Sequence, residues 1–392
     1  MKDIDITIFG ATGFTGKHVV QELYSQKSKL KIAIAGRSAK KLEEISKRGL
    51  EIIEADVNDQ ESLNAMCKRS KVVINCVGPF RFFGKQVVRA CVENGTSYCD
   101  ISGEPEFIEK CFVEFEEKAK ETGCVVVSAC GFDSVPADIG LAWTCSLFPT
   151  GSEIVSGESF LELKTSKSAR INYGTFETAV ESIAHERDLR RFRKEHPRKL
   201  NYLKPRLTKK LLPFWNEKLG KYCVVFPGSD AAIVRMTQVC ETNRSPVQYM
   251  AYLAVDGLLQ LIGLFIFGLV MILFTRFSAG ISLLKNYPEF FSFGLFGKEG
   301  PTDEQIASTS FSTQFSVSGR IDGEEIQINS KVSGPEPGYV TTPICVVAAA
   351  LMLLQKDDLK VKSGVYTPAS AFNIPKMVSR LTQRGISFEQ LK

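Results

Sequence analysis

The chain has 392 residues, a net charge of +5 and a hydrophobic fraction of 44%, which suit a globular protein of two or three domains. Its only histidines, His18, His185 and His196, do not stand at metal-ligand spacing, which argues against a protein-built metal centre and against histidine-based hydrolysis. The eleven cysteines form no Cys-x-x-Cys pair, so we expect reduced, mostly buried thiols. Asp3 and Asp5 interrupt the start, which predicts no secretory signal and a cytosolic protein.

A glycine-rich turn follows the first predicted strand. Residues 4–10, IDITIFG, alternate polar and apolar side chains, and KHVVQELYSQ has the spacing of a helix. In this context Gly10 allows a tight turn, Gly13 lets the backbone approach a pyrophosphate, and Gly16 lets helix and strand pack closely. The helix N-terminus adds free N–H groups for the anion. A plain βα turn is the alternative for this motif taken alone. The predicted cradle consists of Gly10, Thr12, Gly13, Phe14, Thr15 and Gly16.

The end of the second predicted strand distinguishes between the two nicotinamide cofactors. Residues 31–38, KIAIAGRS, end in Gly36, Arg37 and Ser38. An NAD site places a carboxylate there for the ribose 2′-hydroxyl, whereas an arginine neutralises the 2′-phosphate of NADP. Because no Asp or Glu stands beside Arg37 and Ser38, the sequence predicts NADP(H) rather than NAD(H).

The alternation of strands and helices continues to residue 140. Further strands are predicted within 51–59, 71–80, 96–104 and 124–140. Repeated βα units indicate a parallel, doubly wound sheet that binds ligands at the carboxyl ends of its strands. These ends supply further predicted cofactor contacts, which are Asp56 beside the adenine ring and Asn75, Val77, Gly78 and Pro79 towards the nicotinamide ribose.

Polar side chains at two later strand ends are the candidates for catalysis. No tyrosine has a lysine four residues on, so the catalytic pair of short-chain dehydrogenases is absent. The candidates are Asp100, Ser102 and Glu104 after one strand, and Asp133 and Ser134 after the next. Hydride transfer needs orientation and a proton source, so one acid suffices, and we select Glu104 and Asp133. The alternative for Asp100 and Asp133 is that they cap turns or helix starts.

Six segments together resemble the saccharopine dehydrogenase-like oxidoreductase family. They are GATGFTG, AGRS, NCVGPFRFFG, DISGEPEF, GFDSVPADIG and GPEPGYVTTP, and with the strands around them they run from residue 4 to about residue 370. The resemblance implies a Rossmann domain, then an α+β domain, with C-terminal elements packing back near the first. It is greatest to animal members found on lipid droplets, which implies a place on the cytosolic face of a lipid droplet or membrane.

The middle of the chain departs from the lysine-metabolising members of that family. Saccharopine reductases bind a dicarboxylic amino acid through arginines of a polar second domain, whereas this region holds a basic stretch and a long apolar run. Bacterial relatives resemble trans-acting enoyl reductases that work on lipid precursors. The resemblance therefore implies a lipid-like carbonyl, enoyl or imine substrate.

The basic stretch spans residues 187–221 and holds 13 Lys or Arg against 3 Asp or Glu. It is either a solvated, partly helical surface segment or a surface for anionic lipid head groups. No nucleic-acid-binding module accompanies the charge, so we expect no nucleic-acid partner.

The apolar run spans residues 257–275, 19 residues without a charge, and an aromatic-rich stretch follows over 277–297. As a helix the run would extend ~28 Å, close to the thickness of a bilayer. Three placements are open: insertion into one leaflet as a hairpin or interfacial segment, a single span, and a buried core or dimer-interface helix. The basic stretch upstream favours lipid contact, so we expect insertion through 257–297.

Two features mark the last part of the chain. Asp-Gly at 322–323 lies between two segments of period two and predicts a hairpin, and VTTPICVVAAALMLLQK predicts a buried helix.

We predict an α/β fold with a Rossmann domain over 1–142, an α+β domain with an apolar helical insertion over 143–340, and a C-terminal helix and tail over 341–392. The predicted function is an NADP(H)-dependent oxidoreductase. The alternative is a non-catalytic droplet scaffold or cofactor sensor, and a second copy of the chain is a candidate partner.

Overall fold

A computed structural model describes residues 2–26, 29–46, 50–166, 168–241 and 244–392. The chain forms two compact units, the first comprising Met1–Ile139 and Pro337–Gly385, the second Gly140–Glu336 and Ile386–Lys392. The boundaries expected at residues 142 and 340 stay predictions. Within the predicted C-terminal segment 341–392, residues up to Gly385 belong to the first unit and Ile386–Lys392 to the second.

The elements follow one another in three runs along the chain. The first run is β1 (Ile4–Phe9), α1 (Phe14–Ser25), β2 (Ile32–Gly36), α2 (Ala39–Ile45), β3 (Leu50–Glu54), α3 (Gln60–Arg69), β4 (Ser70–Asn75), α4 (Phe80–Glu93), β5 (Ser97–Asp100), α5 (Pro105–Thr122), β6 (Val125–Val127) and α6 (Val135–Ser146). The second is β7 (Glu153–Thr165), β8 (Ile171–Asn172), α7 (Tyr173–Ala184), α8 (Glu186–Glu195), β9 (Phe214–Asn216), β10 (Lys221–Val225), α9 (Asp230–Cys240), β11 (Gln248–Val255), α10 (Leu258–Phe274), α11 (Ser278–Asn286), α12 (Pro288–Phe291), β12 (Phe296–Gly297), α13 (Asp303–Ala307), β13 (Thr309–Ile321) and β14 (Glu324–Pro335). The third is a π-helical turn (Pro337–Thr341), α14 (Thr342–Leu354), a 3₁₀ turn (Lys356–Asp358), β15 (Gly364–Tyr366), α15 (Pro368–Ala371), α16 (Ile374–Thr382) and β16 (Ser387–Leu391).

The first unit is built on a parallel sheet with the strand order β15-β6-β5-β4-β1-β2-β3. Its central strands are short, Val- and Ile-rich and almost wholly buried, as expected for a sheet covered by helices on both faces. The order reverses between β1 and β4, where Phe9 pairs with Asn75, and such a reversal is where doubly wound sheets bind ligands. The predicted Rossmann fold is confirmed.

The second unit is built on a mixed sheet with the order β16-β14-β13-β7-β11-β10-β9. Buried and half-exposed residues alternate along β13, as the period-two pattern predicts. At the turn that joins β13 to β14, Asp322 has φ 52° and Gly323 has φ 89°, the left-handed pair of a type I′ hairpin. The predicted hairpin and the α+β second domain are therefore confirmed.

Two apolar helices differ in their surroundings. Within the described residues, one continuous helix, Pro337–Leu354, is long and apolar enough to cross a membrane, and 72% of it is buried in the protein. It contains α14, so the predicted buried helix is confirmed as a core element of the first unit. The other, α10, is the predicted apolar helical insertion, and in the second unit its Met271 packs with Phe176 and Val180 of α7.

Candidate functional site

The turn after β1 is packed too closely to hold side chains. Gly10 has φ +83°, and a Cβ there would lie 2.7 Å from Val77 Cγ2. A Cβ at Gly16 would lie 2.2 Å from the carbonyl oxygen of Gly10, and one at Gly13 would lie 3.2 Å from the same atom. Only glycine fits at positions 10 and 16, so the turn presents backbone without side chains at the carboxyl edge of the sheet.

The helix that follows the turn is arranged to attract an anion. Gly13 is the N-cap residue of α1 and offers no capping side chain to the first-turn amides, and no acidic residue lies in that turn. Uncapped amides and the helix dipole together bind phosphate groups. Phe14, Thr15 and Gly16 supply the first amides of this helix, so the residues present fit a pyrophosphate.

The end of β2 lies next to the same turn. A Cβ at Gly36 would lie 4.0 Å from Thr12 Oγ1. Ser38 is the N-cap of α2, where its hydroxyl accepts a hydrogen bond from the Lys41 amide at 3.4 Å. Arg37 is exposed and makes no ion pair with any residue that the structure describes. Its guanidinium therefore fits the 2′-phosphate of NADP.

The loop after β4 rests on the glycine turn. The Asn75 side chain is buried, donates to the Tyr98 hydroxyl at 3.1 Å and accepts from the Val77 amide at 2.9 Å. These bonds hold Val77 against Gly10. Gly78 and Pro79 follow in the same loop, joined by a cis peptide bond.

Asp56 and its neighbours form a separate, local turn after β3. Asp56 Oδ1 accepts hydrogen bonds from the backbone amide of Asn58 at 2.9 Å and from its side-chain amide at 3.1 Å. The Asp56 amide donates to Ser62 Oγ at 3.0 Å. The structure thus accounts for Asp56 as a turn residue, and its contact with the adenine ring stays a prediction.

Glu104 caps a helix. Its Oε1 accepts from the Phe80 amide at 2.7 Å and its Oε2 from the Arg81 amide at 2.9 Å, so both oxygens bind the first turn of α4. Burial raises the pKa of this carboxyl above its ordinary value, although the two amide bonds act in the opposite direction. The geometry gives Glu104 a structural task, and its catalytic assignment stays a prediction without geometric support.

Asp133 lies in the turn between β6 and α6, with its side chain exposed to solvent. Desolvation by neighbouring protein atoms raises the pKa of its carboxyl above the ordinary value. A carboxyl with a raised pKa holds a proton more readily than an ordinary aspartate does, and its exposure lets it pass that proton on. Asp133 is therefore the better supported of the two predicted catalytic residues.

Asp100, at the end of β5, links two loops of the first unit. Its Oδ1 accepts from the Ser102 amide at 2.9 Å and from the Ala129 amide at 2.8 Å, and Ala129 has the left-handed φ of 62°. Its Oδ2 and Ser128 Oγ are both buried, and Tyr98 and Ser128 interact with the Asp100 carboxyl and oppose the rise of its pKa. Burial raises the pKa of Asp100 to about 6. The capping role that the sequence left open for Asp100 matches this geometry.

Comparisons with known proteins agree with this architecture. Residues 6–127 match the family model for the saccharopine dehydrogenase NADP binding domain. The saccharopine dehydrogenase-like oxidoreductase of Mus musculus is 37% identical over 98% of this chain and 96% of its own length. The "Lipid droplet localized protein" of Caenorhabditis elegans is 37% identical over 99% of this chain and 98% of its own. The "Probable mitochondrial saccharopine dehydrogenase-like oxidoreductase" of Arabidopsis thaliana is 36% identical, over 98% and 96%.

One solved structure supports the fold. The apo saccharopine dehydrogenase (L-Glu forming) of Saccharomyces cerevisiae aligns over 99% of this chain and 100% of its own, with a TM-score of 0.59 and 13% identity. A likeness at that identity supports the shared architecture and carries no argument about substrate.

The sheet reversal, the glycine turn and the uncapped helix define an NADP-binding oxidoreductase with a Rossmann domain. Identity of 37% over nearly the whole length shows that the chain belongs to the saccharopine dehydrogenase-like oxidoreductase family. The predicted family, fold and NADP(H) cofactor are confirmed. The individual contact residues and their roles stay predictions.

Replacing Arg37 tests the cofactor assignment. Arg37→Asp removes the cation opposite the 2′-phosphate and adds a repelling carboxylate, so we expect the Kd for NADPH to rise about 100-fold, equivalent to about 2.7 kcal/mol. The Kd for NADH should change less than about 3-fold. Titration calorimetry measures both, with Arg89→Asp on the exposed face of α4 as the matched charge reversal. Equal losses for the two cofactors would contradict the role of Arg37.

Replacing Asp100 tests the buried carboxyl. Because its folded-state pKa of about 6 lies above the ordinary 3.8, the folded protein binds this proton more tightly than the unfolded chain does. Protonated Asp100 therefore adds to the free energy of unfolding below about pH 4, and this contribution is lost as pH rises through 6. Asp100→Asn keeps Oδ1 and cannot ionise, so its free energy of unfolding relative to wild type should increase by about 2 kcal/mol between pH 4 and 7. Urea unfolding measures this difference, and parallel pH curves for the two proteins would count against the raised pKa.

Proposed function

We propose that this chain is an NADP(H)-dependent oxidoreductase that works on the cytosolic face of a lipid droplet or membrane. The proposed substrate is a lipid-like carbonyl, enoyl or imine compound. The observation that carries the proposal is an exposed apolar surface on the second unit. The cofactor assignment supplies the reaction class, and this surface supports the place where the reaction occurs.

Helices α10, α11 and α12 form the apolar surface. Leu259 is 86% exposed, Phe265 71%, and Phe290 and Phe293 77% each. The same surface includes the exposed side chains of Leu258, Ile262, Ile266, Leu269, Ile272, Leu273, Phe277, Leu283 and Tyr287. So many large apolar side chains on one segment far exceed the scattered exposed residues of an ordinary soluble surface.

The opposite side of these helices is fixed to the protein. Phe176 and Val180 of α7 pack with Met271 of α10, Leu284 of α11 and Phe296. Lys285 of α11 forms ion pairs with Glu181 and Glu177 of α7. Since one side is occupied by protein, this geometry favours a helix that lies in the interface and inserts one face into a single leaflet or monolayer over a free span.

Basic residues follow α7, the helix on which the apolar surface is packed. Helix α8 begins two residues after α7 ends and has no buried residue; its sequence ERDLRRFRKE holds five Lys or Arg and three Asp or Glu, and Arg190 and Arg191 form ion pairs within the helix. Each such residue contributes about 1 kcal/mol of attraction near an anionic lipid surface. The name of the worm relative, which refers to lipid droplets, supports this location, whereas the plant relative is named as mitochondrial.

The chemistry follows from the first unit. Bound NADPH supplies a hydride. The glycine turn and α1 would hold the pyrophosphate, and Arg37 would hold the 2′-phosphate. Reduction of a carbonyl or imine then needs one proton at its oxygen or nitrogen, and Asp133 is the proposed donor because its carboxyl is exposed and its pKa is raised.

Charged substitutions on the apolar surface test the proposed location. The full-length double variant Leu259→Glu/Phe265→Glu should bind vesicles and phospholipid-coated triolein droplets at least about 10-fold more weakly, because insertion would bury two new charges. Flotation with phosphatidylcholine vesicles, alone and with 30% phosphatidylserine, measures the partition. Wild type should bind the anionic vesicles more strongly, and added salt should reduce that gain.

The matched control carries the same charges away from this surface. Tyr24→Glu/Val113→Glu replaces two exposed side chains of the first unit and should bind vesicles as wild type does. Both double variants should keep the wild-type Kd for NADPH, which verifies their fold. Equal vesicle binding by all three proteins would refute the role of α10.

A further inference from the structure

We propose that the π-helical turn Pro337–Thr341, with Thr342 after it, is part of the cofactor site and couples the glycine turn to the loop that carries Asp133. This segment lies 210 residues after the loop it contacts and more than 300 residues after the glycine turn, and the predicted cofactor contacts did not include it. The proposal rests on the cofactor cradle described above. It assigns Tyr339 and Thr342 as positioning residues.

Tyr339 fixes the side chains at the start of α1. Its buried ring packs edge-to-face on Phe14, with 4.8 Å between centroids and an angle of 82°. The His18 ring lies 5.6 Å from Tyr339 and 5.5 Å from Phe14, which closes a group of three rings. Phe14 is the first residue of α1, so the orientation of Tyr339 determines how the uncapped end of this helix is held.

Thr342 fixes the other loop. Its Oγ1 accepts a hydrogen bond from the Phe132 amide at 3.0 Å and donates to the Pro337 carbonyl oxygen at 3.0 Å. A Cβ at Gly131 would lie 3.3 Å from Thr342 Cγ2, so the loop and the threonine are in close contact. Phe132 immediately precedes Asp133, and one hydroxyl therefore links the π-helical turn to the proposed proton donor.

The backbone geometry supports a functional role for this turn. π-Helical turns are rare and occur often at functional sites. Here the turn holds Tyr339 against α1 and brings Thr342, the next residue after it, to the β6–α6 loop. A ligand that orders the start of α1 should therefore also order the loop with Asp133, through Tyr339 and Thr342.

Hydrogen exchange of the full chain with and without saturating NADPH tests the coupling. In wild type, NADPH should slow exchange in peptides covering residues 10–20 and 129–137. Thr342→Val lacks the hydroxyl. It should keep the NADPH-dependent protection of residues 10–20 and lose at least about half of the protection of residues 129–137. Thr342→Ser should restore the protection of residues 129–137, because serine keeps the hydroxyl. A purely steric role of the threonine would not predict this recovery.

Cofactor affinity tests the aromatic part. Tyr339→Leu should raise the Kd for NADPH about 5-fold, since it removes the edge-to-face contact of the ring with Phe14, while Tyr339→Phe should stay within about 2-fold. The matched control is Thr96→Val, which removes a buried hydroxyl that donates to the Cys67 carbonyl oxygen. It should leave the Kd for NADPH and the NADPH-dependent protection from exchange unchanged.

The outcomes separate the coupling from the cofactor cradle. Unchanged loop protection in Thr342→Val, or a wild-type Kd in Tyr339→Leu, would overturn the coupling while leaving the cofactor cradle intact. A wild-type protein that does not bind NADPH would overturn the cradle and this proposal together.

Discussion

The site depends on one steric constraint: there is no room for a side chain at Gly10 or at Gly16. These contacts press the start of α1 onto the end of β1 and bring Val77 of the β4–α4 loop over Gly10. Asn75 then fixes Val77 and joins it to Tyr98, whose strand ends at Asp100. One close approach thus sets the relative positions of the ends of β1, β4 and β5.

Local signals in the sequence predict much of this molecule. The Val- and Ile-rich runs predicted the strands of the first sheet, the Asp-Gly pair at 322–323 predicted the hairpin, and Arg37 predicted the cofactor. Each signal acts within a few residues of itself, so no knowledge of the tertiary structure was needed. The same holds for α14, whose continuous apolar composition predicted a buried helix.

Local sequence patterns did not predict the contacts between segments that lie far apart in the chain. Glu104 resembles a free acid in the sequence until α4, which starts 24 residues earlier, places two amides on its carboxylate. Tyr339 and Thr342 lie in the segment GPEPGYVTTP, which contributed to the family resemblance, but their contacts could not be predicted because Phe14 and Phe132 lie hundreds of residues away. The left-handed Ala129 is likewise set by Asp100 and not by its own residue type.

The central claim is that the edge of the first sheet binds NADPH through the glycine turn and Arg37. The most direct measurement is the electron density of the protein crystallised with NADPH. The account predicts the pyrophosphate at the start of α1, the 2′-phosphate beside Arg37, and the nicotinamide towards the loop of Asp133. A cofactor bound elsewhere, or a 2′-phosphate remote from Arg37, would contradict it.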